Sequence, residues 1–359
     1  MNQNNKTITV HAKVLPENAS IKDIEWNPVL KECVSSDYIE IVSLEGKGTG
    51  NETAVIKAAC DGECILRLTA NNGQKHNEVL SDLNFTVQGI GNPKLNPYKL
   101  IEACRFSEWD GERQKPVVTL ESGISNRSMG STWISFDKVD FGKEGADTIH
   151  IPIFSFDTEL PVEVWDGKPG NGTTREKTTP STTGGHCLFK GTYKHSSVYN
   201  TYSENVFTLE KRLFGVHTIS IVLPTELCFH GFYFDQTLKA LSKLRALDAD
   251  DVVGDSFIKA EAAVERIGNN VNLDFANMNF GENKATTITI CGKSNTENNT
   301  INVKFFNEDG SVSTQVIEFP HTEDYEEKSF NIQPVTGANK VSFVFLPGCN
   351  FDFKWFRFS

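Results

Sequence analysis

The chain repeats itself, and the repeat restricts the fold more than any single residue does. Phe136 is followed, after four residues, by Phe141-Gly142, and Phe275, after four residues, by Phe280-Gly281. Downstream of each lies an apolar run closed by proline: Ile219-Ser220-Ile221-Val222-Leu223-Pro224 and Val341-Ser342-Phe343-Val344-Phe345-Leu346-Pro347. Each proline precedes an aromatic passage, Phe229, Phe232 and Phe234 in one copy and Phe351, Phe353, Phe356 and Phe358 in the other. Short runs rich in aromatic and β-branched residues, broken by Gly and Pro, read as strands. Each copy of such an all-β unit must bury its own core. Neither copy holds a recognisable catalytic set, so the repeat points to binding modules rather than to an enzyme.

A chain of 359 residues accommodates about two or three domains. No run approaches the roughly eighteen apolar residues of a membrane helix. The start, MNQNNKTITV, lacks the basic-then-apolar pattern of a signal peptide and passes directly into the alternation Ile8, Val10, Ala12, Val14. A strand that begins so early reads as the edge of a piece taken from a longer protein. Net charge is −12, from 35 basic and 47 acidic residues. Nucleic-acid binding needs a basic face to displace counterions, and docking on anionic lipid needs one too, so neither partner is expected. The eight cysteines include no Cys-x-x-Cys pair, which argues against zinc. Cys60 and Cys64, flanking Asp61-Gly62, read as small buried hydrophobes, and scattered cysteines without framework spacing fit a reducing, cytoplasmic compartment.

Residues 1–90 read as strands at 7–14, 21–27, 38–43, 54–60, 64–70 and 80–88, with turns at Asp61-Gly62 and Asn71-Asn72-Gly73. With Trp26 packed between two sheets, this is the pattern of an Ig-like sandwich. Gly89-Ile90-Gly91-Asn92-Pro93 and Pro97 form a linker. Residues 96–235 and 254–359 are the two repeated units, expected to be jelly-roll β-sandwiches of common strand order. Gly167 to Gly185 carries no core-forming residue and reads as a surface loop. Between the repeats, residues 236–253 read as a helical linker, with Asp235 capping a helix from Gln236 to Leu247 whose stripe is Leu238, Leu241, Leu244 and Leu247.

Residues 254–359 resemble a family 6 carbohydrate-binding module. Such modules open on an Ile-Glu-Ala-Glu strand, pass an aromatic followed by a Val-Asp-Phe-Gly-like turn, and close on Asn-x-Asp-Trp-Phe-x-Phe. The matching passages are Ile258-Lys259-Ala260-Glu261, then Phe275 to Asn279-Phe280-Gly281, then Asp352-Phe353-Lys354-Trp355-Phe356-Arg357-Phe358. In the other copy they are Ile101-Glu102-Ala103-Cys104, then Trp133 to Val139-Asp140-Phe141-Gly142, then Cys228-Phe229-His230-Gly231-Phe232-Tyr233-Phe234. An Ig-like domain, a passage from Gly89 to Tyr98, and two such modules together resemble the C-terminal region of bacterial glycoside hydrolase family 2 β-galactosidases. That resemblance implies an upstream catalytic barrel as partner and a galactoside-containing glycan or polysaccharide as ligand.

Sugars are held by aromatic rings against their C–H faces and by amides and carboxylates that take paired hydroxyls. In the third unit the resemblance puts Tyr325 at the late platform position, with Asp352 in place of the family's Asn. In the second unit Tyr199-Asn200-Thr201-Tyr202 mirrors a Trp-x-x-Trp, making Tyr199 and Tyr202 candidates, with Cys228 where the Asn would stand. Trp165, beside Asp166-Gly167, and Trp109 are weaker candidates, while Trp133, Trp355 and the closing phenylalanines read as core. The family's structural calcium implies ligands at Glu102 and Glu261, with Cys104 and Lys259 displacing a second acidic residue in each module. No cofactor is required. The paired carboxylates of a glycosidase sit in no motif here, and no Gly-x-Ser-x-Gly elbow, P-loop or His-Glu-x-x-His is present, so this chain alone is expected to catalyse nothing. The alternative from another class is a structural region that braces a catalytic core or mediates oligomerisation without touching sugar.

Overall fold

The computed structural model describes residues 1–30, 36–71, 78–119, 123–127, 130–171, 184–195, 201–224, 227–282, 284–307 and 309–359. By internal contacts the chain forms two units. One comprises Met1–Asp140, His150–Phe207 and Val216–Tyr233; the other comprises Phe141–Ile149, Thr208–Gly215 and Phe234–Ser359. The fold is all-β. Among the described residues no helix is long and apolar enough to cross a membrane.

The first sandwich contains β1 (Thr7–Lys13), β2 (Ile24–Val29), β3 (Ile39–Glu45), β4 (Asn51–Ala58), β5 (Gly62–Asn71) and β6 (Glu78–Val87), each overlapping an expected strand. Two three-stranded sheets, β1-β4-β3 and β2-β5-β6, face each other across Ile24, Trp26, Ile56, Leu66 and Val87. Trp26 packs as its sequence context requires, and its indole N–H donates to Glu52 Oε2 at 2.8 Å. Glu52, only 1% exposed, accepts a second bond from the Gly48 N–H at 2.9 Å. Glu52→Ala strands the buried Trp26 indole donor, while the exposed Gly48 N–H can turn to water, and an unsatisfied buried group costs about 1–3 kcal/mol. Denaturant unfolding of that variant should report a loss of about 2 kcal/mol in this sandwich. Cys60 and Cys64 are both buried, as expected. The predicted turn at Asn71-Asn72-Gly73 falls partly outside the described residues. The Gly89–Pro97 linker is pinned: the Ile90 N–H donates to Asp61, and Leu95 exchanges backbone bonds of 2.9 Å with Lys138 and Asp140.

The second sandwich contains β7 (Ile101–Glu102), β8 (Glu108–Trp109), β9 (Val117–Val118), β10 (Ile124–Asn126), β11 (Thr132–Asp140), β12 (Ala146–Ser155), β13 (Glu159–Asp166), β14 (His186–Lys194), β15 (Ser203–Leu213), β16 (Val216–Leu223), β17 (Leu227–Phe229) and β18 (Gly231–Phe234). The third contains β19 (Leu244–Arg245), β20 (Asp251–Val253), β21 (Ile258–Lys259), β22 (Val264–Ile267), β23 (Val271–Ala276), β24 (Ala285–Ser294), β25 (Asn298–Asn307), β26 (Val312–Pro320), β27 (Glu326–Val335), β28 (Ala338–Phe345) and β29 (Phe351–Phe358). Their five-stranded sheets run β14-β13-β16-β11-β8 and β26-β25-β28-β23-β20, the same order. The opposing sheets match as well: β9-β10-β17-β12 with β15 on β12, against β21-β22-β29-β24-β27.

The repeated aromatic residues explain this agreement. Phe136 meets Phe232 edge-on at 4.9 Å, and Phe275 meets Phe356 edge-on at 4.8 Å. Phe141–Phe234 and Phe280–Phe358 form a second matched pair, at 4.9 and 5.3 Å. Edge-to-face contacts of this length are favourable beyond the area they bury. The Gly of each Phe-Gly is demanded by its backbone: Gly142 and Gly281 have φ of 62° and 61°, where a Cβ is penalised.

Residues 236–247 do not form the expected helix. Lys239–Leu241 is a single 3₁₀ turn, β19 follows, and Ala246–Asp248 is another 3₁₀ turn. The leucines recur every third residue, which suits the 3.0-residue period of a 3₁₀ turn better than an α-helix. Leu244 pairs with Phe356 on β29, so this segment opens the third sandwich instead of bridging to it. The core cluster of that sandwich includes Ala240, Leu244 and Ala246 alongside Phe275, Phe280, Phe343 and Phe356.

Candidate functional site

At one end of the third sandwich, the start of β29, the middle of β22 and the end of β24 converge on an open cleft of about 570 Å³. Glu265, Arg266, Asn295, Asn350 and Asp352 line it, with Ser256 and Cys349. A buried polar network holds its floor. Asn299, fully buried, donates through Nδ2 to Ser294 Oγ at 2.6 Å and accepts the Asn350 N–H at 2.9 Å. Thr322 Oγ1 accepts the Ser294 N–H at 3.0 Å. Asn295 donates to Asn350 twice, N–H to backbone oxygen at 3.0 Å and Nδ2 to Oδ1 at 3.2 Å. A satisfied buried network rigidifies what it carries, so the Asn350 backbone is fixed, while its exposed side-chain amide is held by the single bond from Asn295.

Tyr325 borders this cleft. Its hydroxyl lies 3.4 Å from Glu265 Oε1, and the Lys354 ammonium lies 5.6 Å from its ring centroid. Burial raises its pKa well above that of an ordinary phenol, and the charges of Asp352 and Glu265 push the same way, so it remains a neutral donor. The ring is half-buried rather than projecting freely. Asp352 is half-buried and accepts the Arg266 N–H at 2.7 Å. Tyr325, Asp352 and Glu265 are thus brought together as a hydroxyl and two carboxylates. Such groups take paired sugar hydroxyls.

Asn350, which the sequence did not single out, also lines this cleft. The closing motif Asn-x-Asp stands here as Asn350-Phe351-Asp352, so Asp352 occupies the motif's own Asp position and the Asn is present two residues earlier.

The other candidates lie elsewhere. Trp165 sits within β13, opposite Ser220, half-buried with its Nε1 donating to Glu163 at 2.8 Å. Tyr202 stacks on His230 at 4.8 Å, and Tyr199 lies outside the described residues. Cys228 is inside β17, paired with Ser125 and Phe154. Trp355 is buried, but outside the phenylalanine core, with the Lys243 ammonium 4.0 Å from its ring centroid.

The calcium expectation fares worse. β7 pairs with β18 as β19 pairs with β29, so the counterpart of Ile101-Glu102 is Leu244-Arg245, not Ile258-Lys259. Glu261 therefore lies exposed in the turn between β21 and β22, away from the opening strand. At the corresponding position Arg245 binds Asp248 at 2.7 Å, a cation where the metal's carboxylate would stand. Glu102 is half-buried on β7. Among the described residues no group of three or more His, Cys, Asp or Glu gathers to hold a metal.

The sequence matches the profile of the carbohydrate binding module (family 6) over residues 253–359. In fold comparison, a family 6 module from Clostridium stercorarium in complex with cellobiose aligns at 24% identity and a TM-score of 0.29, over 33% of this chain and 94% of that one. A family 6 module from Clostridium cellulolyticum in complex with xylose aligns at 22% identity and a TM-score of 0.29, over 33% and 98%. A family 43 arabinoxylan arabinofuranohydrolase from Bacillus subtilis aligns at 14% identity and a TM-score of 0.29, over 82% of this chain and 59% of that one. Comparison with curated proteins gives no match. The chain carries a family 6 carbohydrate-binding module at residues 253–359.

Proposed function

We infer that the cleft at the start of β29 binds a single glycan end or a short stretch of polysaccharide, and that the chain serves as the non-catalytic accessory region of a β-galactosidase-like glycoside hydrolase. The carrying observation is Asn350, its backbone held by Asn299 and its side-chain amide by Asn295, beside the Asp352 and Glu265 carboxylates and the neutral Tyr325 hydroxyl. The galactoside ligand and the upstream barrel rest on the resemblance in domain order. The repeated strand order supports reading the second sandwich as a diverged relative of the third. Tyr202 and Trp165 belong to its separate surfaces and are secondary candidates there.

A glycan array probed with the whole chain identifies the sugar, and titration calorimetry of variants then tests the site. Stacking and single hydrogen bonds are each worth on the order of 1 kcal/mol, so affinity should be weak, roughly millimolar to high micromolar. Asn350→Ala and Tyr325→Ala should each weaken binding at least about fivefold. Tyr325→Ala should also cost a little stability, because the ring is half-buried. Wild-type affinity in both variants would refute this assignment of the cleft. Aryl β-galactosides should not be hydrolysed by the chain alone; turnover that survives repurification would refute that expectation.

A further inference from the structure

Arg266 lies in the wall of the cleft. Its backbone has φ of 52°, a conformation that costs a non-glycine residue about 1 kcal/mol or more and tends to cluster at ligand sites. Two neighbours hold it there. Asp352 Oδ1 accepts its N–H at 2.7 Å, and Ser256 Oγ donates to its carbonyl at 3.4 Å. The side chain is exposed, and its guanidinium makes no hydrogen bond or ion pair among the described residues. Arg127 and Arg357, also exposed, likewise make no hydrogen bond or ion pair among the described residues, but neither lines the cleft. Arg67, Arg105, Arg212 and Arg245 each reach an aspartate. Lys293, directly across from Asp352, and Lys354, over Tyr325, also lack an ion-pair partner among the described residues. The carboxylates of the cleft have their own contacts, Asp352 on the Arg266 N–H and Glu265 facing the Tyr325 hydroxyl. Among the described residues no aromatic side chain lines the cleft itself, so stacking is confined to its Tyr325 border and much of the recognition falls to polar and charged groups.

We propose that this cleft selects a glycan bearing an anionic group, a uronate carboxylate or a sulfate ester, which the free Arg266 guanidinium engages. The inference rests on the carbohydrate reading above and narrows its ligand class. A guanidinium presents two parallel N–H donors that match a carboxylate or sulfate edge, and charge-assisted bonds of this kind are about twice as strong as neutral ones.

Calorimetry of the whole chain with three probes tests the idea: trigalacturonate, its carboxyl-reduced neutral counterpart, and a sulfated galactose trisaccharide. At least one anionic probe should bind roughly tenfold tighter than the neutral one, about 1.4 kcal/mol. Raising salt from 0.05 to 0.5 M, illustrative conditions, should shrink that preference, because an exposed charge pair is screened over about 10 Å at 0.1 M. Which anion gains more identifies carboxylate or sulfate as the source. Arg266→Gln should abolish the preference, and Arg266→Lys should restore only part of it. Equal binding of all three probes, or a preference that survives in Arg266→Gln, overturns the proposal while leaving carbohydrate binding intact. If Arg266→Gln fails to fold, the wild-type salt series decides, and a preference indifferent to salt overturns it. Binding of no glycan at all, on the array or in solution, overturns this proposal and the broader reading together.

Discussion

Phe356→Ala is expected to unfold the third sandwich under conditions where the wild type is fully folded. Phe356 is fully buried and touches four aromatic neighbours, Phe275 at 4.8 Å, Phe343 at 4.6 Å, Phe358 at 5.5 Å and Phe353 at 6.0 Å. It also sits between β19 and β24, opposite Leu244 and Ile290. Truncating a fully buried Phe to Ala costs about 3–5 kcal/mol, from lost transfer energy plus the cavity left behind. A domain's whole stability is about 5–15 kcal/mol, so the effect should appear as a large drop in the denaturation midpoint. Glycan binding should fall with the folded fraction and be normal per folded molecule. A loss under about 1 kcal/mol would mean that the repeated aromatic pairs do not hold the sheets together.

Arg212→Met should be comparably destabilising, through hydrogen bonds instead of packing. The Arg212 guanidinium is buried, with its side chain 0% exposed. It donates to the carbonyls of Glu144, Gly145 and Thr237, each at 2.7 Å, to Ser242 Oγ at 2.8 Å, to Thr237 Oγ1 at 3.0 Å and to Asp147 at 3.3 Å. Methionine fills much of the volume but leaves those acceptors without donors and Asp147 without its cation. Breaking a buried charged pair by removing one partner costs about 3–5 kcal/mol. Arg212→Lys should recover little, since one ammonium cannot reach acceptors arranged around a planar fork. Hydrogen exchange is the suitable readout: amides from residue 237 to 248 should lose protection in Arg212→Met before the rest of their unit. Unchanged protection across that stretch would show that Arg212 does not fix the opening segment.

The architecture was legible where side-chain chemistry and strand geometry agree. Phe-Gly turns, proline-closed apolar runs and alternating phenylalanines led to two sandwiches of one strand order, because each such residue occupies an equivalent place in both cores. The opening of the third sandwich was not legible as a strand. Its leucines recur every third residue, and a two-residue strand flanked by 3₁₀ turns leaves no alternation long enough to detect. That error displaced the calcium expectation onto Glu261, since Ile258-Lys259-Ala260-Glu261 then looked like the first strand. Of the residues around the cleft, Tyr325 and Asp352 were legible from their positions in the motifs, and Asn350, two residues before Asp352, was not. Arg266 could not have been found. Val264-Glu265-Arg266-Ile267 reads as an ordinary strand, and only the register shift between Val264 and Ile267, with its left-handed residue, turns Arg266 into the cleft. Trp165 and Tyr202 looked like loop-tip platforms, yet each is partly covered by its own neighbours.

The most direct test of the central claim is the position of a bound oligosaccharide in a crystal of the whole chain, grown with whichever glycan the array selects. Sugar hydroxyls should lie within hydrogen-bond distance of Asn350 and Asp352, in the cleft walled by Glu265, Arg266 and Asn295. A sugar held only elsewhere on the chain, with that cleft left to solvent, would contradict it.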